Sequence, residues 1–143
     1  MNSKRDRSNI DHGTIEISND WLRGFVDAEG SFYASVTPNK TSALGYRVVA
    51  TFAISQTASE KPVLEAIQSF LGCGFITKDS GDREVWYYRC DNIEELENKI
   101  VPFFTQNNLV LSKRLDFESM TEALKMIRAK EHLTHEGLAK IKE

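Results

Sequence analysis

Residues 22–30 have the sequence LRGFVDAEG, which mixes apolar and charged residues and in which two small residues, Gly24 and Ala28, are spaced four apart. We predict that this stretch lies on a helix that begins near Asp20 and ends at Gly30. Gly24 and Ala28 lie on one face of such a helix. Because their side chains add almost no thickness, two copies of the helix could approach each other backbone to backbone at this face.

The rest of the chain alternates between strand-like and helix-like segments. The predicted segments are strands 31–37 and 46–56, a helix over 59–71, strands 74–78 and 83–90, a helix from 92 to about 104, a long helix over 112–130 and a short helix from 134. Residues 1–17 are predicted to form a flexible lead-in to a single domain over 18–143. This order predicts an α+β domain of the type αββαββα, with a four-stranded antiparallel sheet backed on one face by helices.

Composition places few limits on the function. The 143 residues fit one domain, and 41% apolar and 27% charged residues are ordinary for a soluble protein. No apolar stretch approaches the roughly 20 residues of a membrane span, and residues 1–20 lack the apolar core of a secretory signal. The two cysteines, Cys73 and Cys90, lack a zinc-like spacing and are predicted to be reduced thiols. An intracellular location is therefore expected, in an organelle or in a prokaryotic cytoplasm.

The net charge of −3 argues mildly against a nucleic-acid partner, because domains that bind nucleic acids usually carry a basic surface. The acidic excess lies mostly at the N-terminus and in the C-terminal half. Residues 31–90 carry slightly more basic than acidic side chains. Charge alone therefore does not indicate DNA.

Four segments together resemble a known family. The stretch at 22–30 closely resembles the motif of LAGLIDADG homing endonucleases, with Glu in place of the last Asp. In the expected order follow a strand ending in Gln (FAISQ, 52–56), a basic pair before Asp-Phe (LSKRLDF, 111–117) and a common C-terminal tail (LTHEGL, 133–138). The resemblance implies the LAGLIDADG homing-endonuclease fold and a single-motif enzyme that works as a homodimer. Such enzymes are encoded within mobile introns or inteins and make double-strand breaks in long, nearly palindromic DNA sites.

The motif suggests how cleavage would work. Close approach of two such helices would bring two copies of Glu29 side by side at the two-fold axis. Paired carboxylates repel each other unless cations lie between them, and Mg²⁺ is the natural occupant. A pair of metal ions can stabilise both the attacking and the leaving oxygen of phosphodiester hydrolysis. We therefore expect two or more shared Mg²⁺ ions with Glu29 and Ala28 as ligands, and a dimer interface formed by Leu22, Gly24, Phe25 and Ala28.

The resemblance implies two further catalytic residues. Gln56 would position a water, and Lys113 would offset transition-state charge or perturb the nucleophilic water. Arg114 competes with Lys113 for this role, because the register of this segment drifts within the family. Asp27, the first acid of the motif, is predicted to be structural and to take local hydrogen bonds at the helix end.

The strands supply the predicted DNA-binding face. Alternation places Val48, Phe52 and Ile54 towards the helices and their neighbours on the opposite face. A two-stranded ribbon fits the major groove of DNA and can contact base edges there. The predicted DNA-binding residues are Tyr33, Ser35, Thr37, Asn39, Lys40, Arg47, Val49, Thr51, Ala53, Thr77, Arg83, Val85, Tyr87 and Arg89.

Two other functions are compatible with the same fold. A maturase would bind intron RNA and assist splicing, and a non-catalytic regulator would bind DNA without cleaving it. Retention of Glu29 favours cleavage, although maturases can keep this acid. His132 and His135 could ligate a metal but fit surface histidines better, and the sequence lacks a P-loop, an HExxH motif or a Cys/His nucleophile arrangement.

Overall fold

A computed structural model describes residues 11–41, 44–79, 81, 84–130, 133 and 135–142. Its helices and strands are α1 (Asn19–Glu29), β1 (Gly30–Pro38), β2 (Tyr46–Thr57), α2 (Lys61–Leu71), β3 (Phe75–Lys78), β4 (Val85–Cys90), α3 (Ile93–Glu95), α4 (Val101–Gln106), α5 (Lys113–Arg128) and α6 (His135–Lys142). A 3-10 turn, Ala58–Glu60, precedes α2, and a π-helical turn, Leu96–Ile100, joins α3 to α4. None of the helices in this part of the chain has the length and apolar character that a membrane crossing needs.

The four strands form one antiparallel sheet in the order β1-β2-β4-β3. β1 pairs with β2 from Gly30 opposite Ile54 to Pro38 opposite Tyr46. β4 pairs only with the C-terminal half of β2, so the β1–β2 hairpin extends beyond the four-stranded part. This arrangement confirms the predicted α+β class with a four-stranded antiparallel sheet.

One face of the sheet packs against the helices. Phe52 and Ile54 on this face are fully buried, as alternation predicted, and Val48 is half-buried nearer the hairpin end. Tyr88 of β4 is fully buried on the same face. Phe52 contacts Phe32 and Phe104 with ring centroids 4.8 Å and 5.5 Å apart. Each fully buried side chain of this size contributes about 1.5–3 kcal/mol of hydrophobic stabilisation, so this aromatic cluster fixes which face of the sheet is open.

α1 passes into β1 without a loop. The Ser18 hydroxyl accepts a hydrogen bond from Trp21 N at 3.1 Å and caps the start of the helix. At the other end, a Cβ on Gly30 would lie 2.6 Å from Val26 Cγ1, so only glycine fits between the helix and the strand. Glu29 is thereby held at the junction between α1 and the sheet.

A buried carboxylate ties the end of α1 to the segment before α5. Asp27 accepts hydrogen bonds from Val110 N at 3.1 Å and 3.0 Å, one to each carboxylate oxygen, and from Leu111 N at 3.0 Å. The predicted structural role of Asp27 fits these contacts. The prediction of local partners was wrong, because the donors lie 83 and 84 residues further along the chain.

We expect Asp27→Asn to lower the free energy of unfolding by about 1.5–3 kcal/mol, because the amide group loses charge and presents a donor to backbone donors. Asp20→Asn, an exposed change in the first turn of the same helix, should cost only about 0.3–1 kcal/mol. Urea denaturation of both variants measures the difference. Equal losses would mean that the Asp27 hydrogen bonds do not hold the two segments together.

Candidate functional site

One face of α1 is open to solvent. Trp21, Gly24, Phe25 and Ala28 follow the helical spacing of this face, and Trp21 stacks on Phe25 with ring centroids 4.8 Å apart. A Cβ added to Gly24 would meet no atom within 4 Å, so the backbone here is directly accessible. The prediction that Leu22 belongs to an interface was wrong, because Leu22 is fully buried in the core on the opposite side of the helix.

An exposed apolar patch lies beside the C-terminus of α1. Val110 is 67% exposed, and Leu111 and Leu115 are each 58% exposed. The Asp27 hydrogen bonds hold Val110 and Leu111 at this position. Sequence periodicity did not single out Val110 and Leu111, because it does not reveal which apolar side chains of a turn lie outside the core. The same periodicity predicted Leu115 on the inner side of the long helix, and this was wrong, because Leu115 is exposed. Adjacent exposed apolar side chains of this size mark an interaction surface.

Lys113 contacts the end of α1 one residue before Glu29. The Glu29 side chain is exposed and makes no hydrogen bond or ion pair within the described residues. A carboxylate at a helix C-terminus is disfavoured by the helix dipole and gains from a nearby cation. Lys113 Nζ donates a hydrogen bond to Ala28 O at 2.8 Å, whereas Arg114 lies 3.8 Å from Glu118 on α5. Of the two basic candidates, Lys113 is therefore the one in contact with the Ala28 carbonyl.

Gln56 lies at the same end of the sheet. It follows Ile54 by two residues, and Ile54 pairs with Gly30, directly after Glu29. Its side chain is half-buried and pairs across the sheet with Trp86. No hydrogen bond joins the side chain of Gln56 to Glu29 or Lys113 among the residues that the structure describes. The fold thus brings the three predicted catalytic residues to one region and directly joins only Lys113 to the helix end.

The oxygen donors at this end of α1 fit a magnesium ion. The exposed Glu29 carboxylate and the Ala28 carbonyl are hard oxygen ligands, and a carbonyl that already accepts one hydrogen bond keeps a second lone pair. Mg²⁺ is commonly held by one or two carboxylates together with waters and substrate phosphates. Across the described ranges, no group of three or more His, Cys, Asp or Glu side chains could hold a metal by itself.

The sheet face opposite the core carries most of the predicted DNA-binding residues. Tyr33, Thr37, Lys40 and Arg47 are exposed, and half-buried positions are Ser35, Asn39, Val49, Thr77, Val85, Tyr87 and Arg89. Arg83 lies outside the described residues.

Two of the predicted positions on this face differ in accessibility. Thr51 and Ala53 lie on it but are only 5% and 7% exposed, because these short side chains lie beside the longer Tyr33 and Arg89. We also missed Phe75, which is exposed and pairs with Arg89 on the same face. The alternation of the short strand β3 would have identified it.

Comparison with known proteins gives consistent matches. The family model described as LAGLIDADG endonuclease matches residues 22–124. A Neurospora crassa protein named "Probable intron-encoded endonuclease 3" is 34% identical over 131 residues, which are 91% of this chain and 24% of the relative. The chain thus spans about a quarter of the length of that curated relative.

Solved structures match in fold as well as in sequence. The homing endonuclease I-TnaI has a TM-score of 0.83 and 38% identity, covering 89% of this chain and 84% of its own. I-SmaMI, bound to an uncleaved DNA target in the presence of calcium ions, has a TM-score of 0.86 and 34% identity, covering 92% and 44%. The chain belongs to the LAGLIDADG endonuclease family.

Proposed function

We propose that this protein is a site-specific homing endonuclease that hydrolyses DNA phosphodiesters as a homodimer with Mg²⁺. The observation that carries the proposal is the position of Glu29, an exposed acid that has no partner among the described residues. It lies at the end of a helix with an open small-residue face. A second copy would place its own Glu29 beside the first and complete a site that one chain leaves incomplete.

The apolar surface around Glu29 supports the dimer. The α1 face formed by Trp21, Gly24, Phe25 and Ala28 adjoins the patch of Val110, Leu111 and Leu115, because Asp27 links the two segments. Soluble monomers rarely expose large contiguous apolar patches that have no partner. In a two-fold dimer the same patch on each chain meets its copy, so Gly24 and Ala28 would let the helix backbones approach. This arrangement puts both acids at the axis.

Each residue at the helix end has a distinct role in the proposed chemistry. Glu29 and the carbonyl of Ala28 would hold Mg²⁺, which when bound polarises the phosphodiester and lowers the pKa of water. Lys113 holds its positive charge against the Ala28 carbonyl, beside the place where the phosphodiester gains negative charge. Gln56, at the same end of the sheet, can orient a water by hydrogen bonding. The Asp27 hydrogen bonds preserve this arrangement by fixing the segment that leads to Lys113.

The open sheet face supports a DNA partner. A concave or ribbon-like antiparallel surface with mixed hydroxyl, aromatic and arginine side chains can contact base edges and phosphates in a major groove. Tyr33, Thr37 and Arg47 are exposed on this surface and the core lies behind it. I-SmaMI, a family relative of similar fold, is bound to DNA in its structure. We infer that this face binds one half of a two-fold symmetric duplex.

The proposed chemistry predicts that Glu29→Gln abolishes cleavage but leaves specific DNA binding intact, because the amide keeps the shape and loses the charge that a divalent ion needs. A duplex that the parent protein cuts in Mg²⁺ serves as substrate, and binding is measured by mobility shift. Glu65→Gln, an exposed change on α2, is the matched control and should cleave normally. Cleavage by Glu29→Gln at the parent's rate would remove Glu29 from the site.

The proposed interface predicts that Gly24→Leu is a folded monomer. Within one chain the new side chain meets open space, and leucine has a higher helix propensity than glycine. At the interface the same side chain would separate the two helices. Analytical ultracentrifugation measures the assembly and circular dichroism the fold, with the exposed Ser69→Leu on α2 as control. A dimeric and active Gly24→Leu protein would contradict the interface.

A further inference from the structure

Arg89 lies over an aromatic ring on the open face of the sheet. It lies on β4, an interior strand between β2 and β3. Its guanidinium carbon lies 4.7 Å from the centroid of the Tyr87 ring, two residues earlier on the same face. Stacking on an aromatic ring fixes the plane of a guanidinium group and leaves its N–H donors at the edges.

The Arg89 side chain lacks a polar partner. Its Nε is buried and has no hydrogen bond, and no carboxylate pairs with the guanidinium, within the described part of the chain. Arg128 and Arg114, by contrast, contact Glu97 and Glu118. Buried N–H groups almost always have an acceptor in a folded protein. No described residue accepts a hydrogen bond from the terminal guanidinium nitrogens either, and a ligand on this face can supply acceptors to them.

The cross-strand neighbours of Arg89 are apolar. Ala53 on β2 and Phe75 on β3 pair with Arg89 across the sheet, so a methyl group and an aromatic ring lie on either side. Neither side chain is charged or can accept a hydrogen bond from the guanidinium. These two neighbours therefore leave the N–H donors of the Arg89 guanidinium without an acceptor, and a partner outside the chain can bind them.

We propose that Arg89, positioned by Tyr87, reads one guanine in each half of the DNA target. Guanine presents two acceptors, O6 and N7, in the major groove, and a planar guanidinium donates to both at once. A phosphate of the same DNA could also accept hydrogen bonds from arginine. Phosphates, however, line the walls of the major groove, whereas the interior strand β4 would face the base edges at its floor. The inference rests on the proposed DNA-binding function and adds the base and the residues that select it.

The register of the sheet also gives the position of this guanine. Ala53, the partner of Arg89 on β2, pairs on its other side with Ser31, two residues after Glu29. The guanine therefore lies in the inner part of each half-site, near the cleaved phosphates. Arg47 lies six residues further along β2, opposite Thr37. At about 3.3 Å per residue this is about 20 Å, or about six base pairs, further from the centre.

The test is a selection of binding sites from a random duplex library in Ca²⁺, with the parent protein and four variants. The parent should select an inner guanine at two symmetric positions. Arg89→Lys keeps the charge but not the planar fork, so its preference for that guanine should fall about tenfold or more while other positions keep theirs. Tyr87→Leu should lower the same preference, and Tyr87→Phe, which keeps the ring, should retain it. Arg47→Lys, the matched control, should leave the inner guanine unchanged.

The outcomes separate this inference from the proposed function. If the Arg89→Lys protein selects the same bases as the parent, Arg89 does not read this guanine. The same conclusion follows if the variant binds every sequence more weakly by the same factor. In both cases a parent that selects and cuts a duplex leaves the proposed function standing. A parent that selects no duplex overturns both. Circular dichroism of each variant confirms that a changed profile comes from a folded protein.

Discussion

The candidate site depends on the carboxylate of Asp27. Its three backbone hydrogen bonds join the last turn of α1 to residues 110 and 111, which are far away in sequence. Hydrogen bonds to a charged acceptor are about twice as strong as neutral ones, and this acceptor is buried. They anchor to α1 the segment that brings Lys113 to Ala28, and they hold the exposed apolar patch beside the helix.

The close contact between Gly30 and Val26 completes this constraint. It lets the chain enter β1 directly after Glu29. The end of α1 is therefore held at a fixed position relative to the sheet. The acid, the lysine and the open sheet face are then positioned by the core rather than by flexible loops. In the nuclease that we propose, such rigidity would link the bases that are read to the place of cleavage.

Much of this organisation could be predicted from the sequence, because strands repeat every two residues and helices every 3.6. Alternation along β2 and β4 gave the correct core face, and the small residues of α1 indicated its open face. Leu22 was misassigned because sequence neighbours on a helix point in different directions: it shares the buried side with Val26. The partners of Asp27, the exposure of Leu111 and the burial of Thr51 depend on tertiary packing, which local periodicity does not encode.

The central claim is that two chains each contribute one Glu29 to a shared active dimer. Mixing the parent with Glu29→Gln chains under conditions that exchange subunits tests it most directly. If both acids of a two-fold dimer are required, double-strand cleavage falls with the square of the parent fraction, to about a quarter when half of the chains are variant. A fall in direct proportion to the parent fraction would show that one chain cleaves alone and would contradict the account.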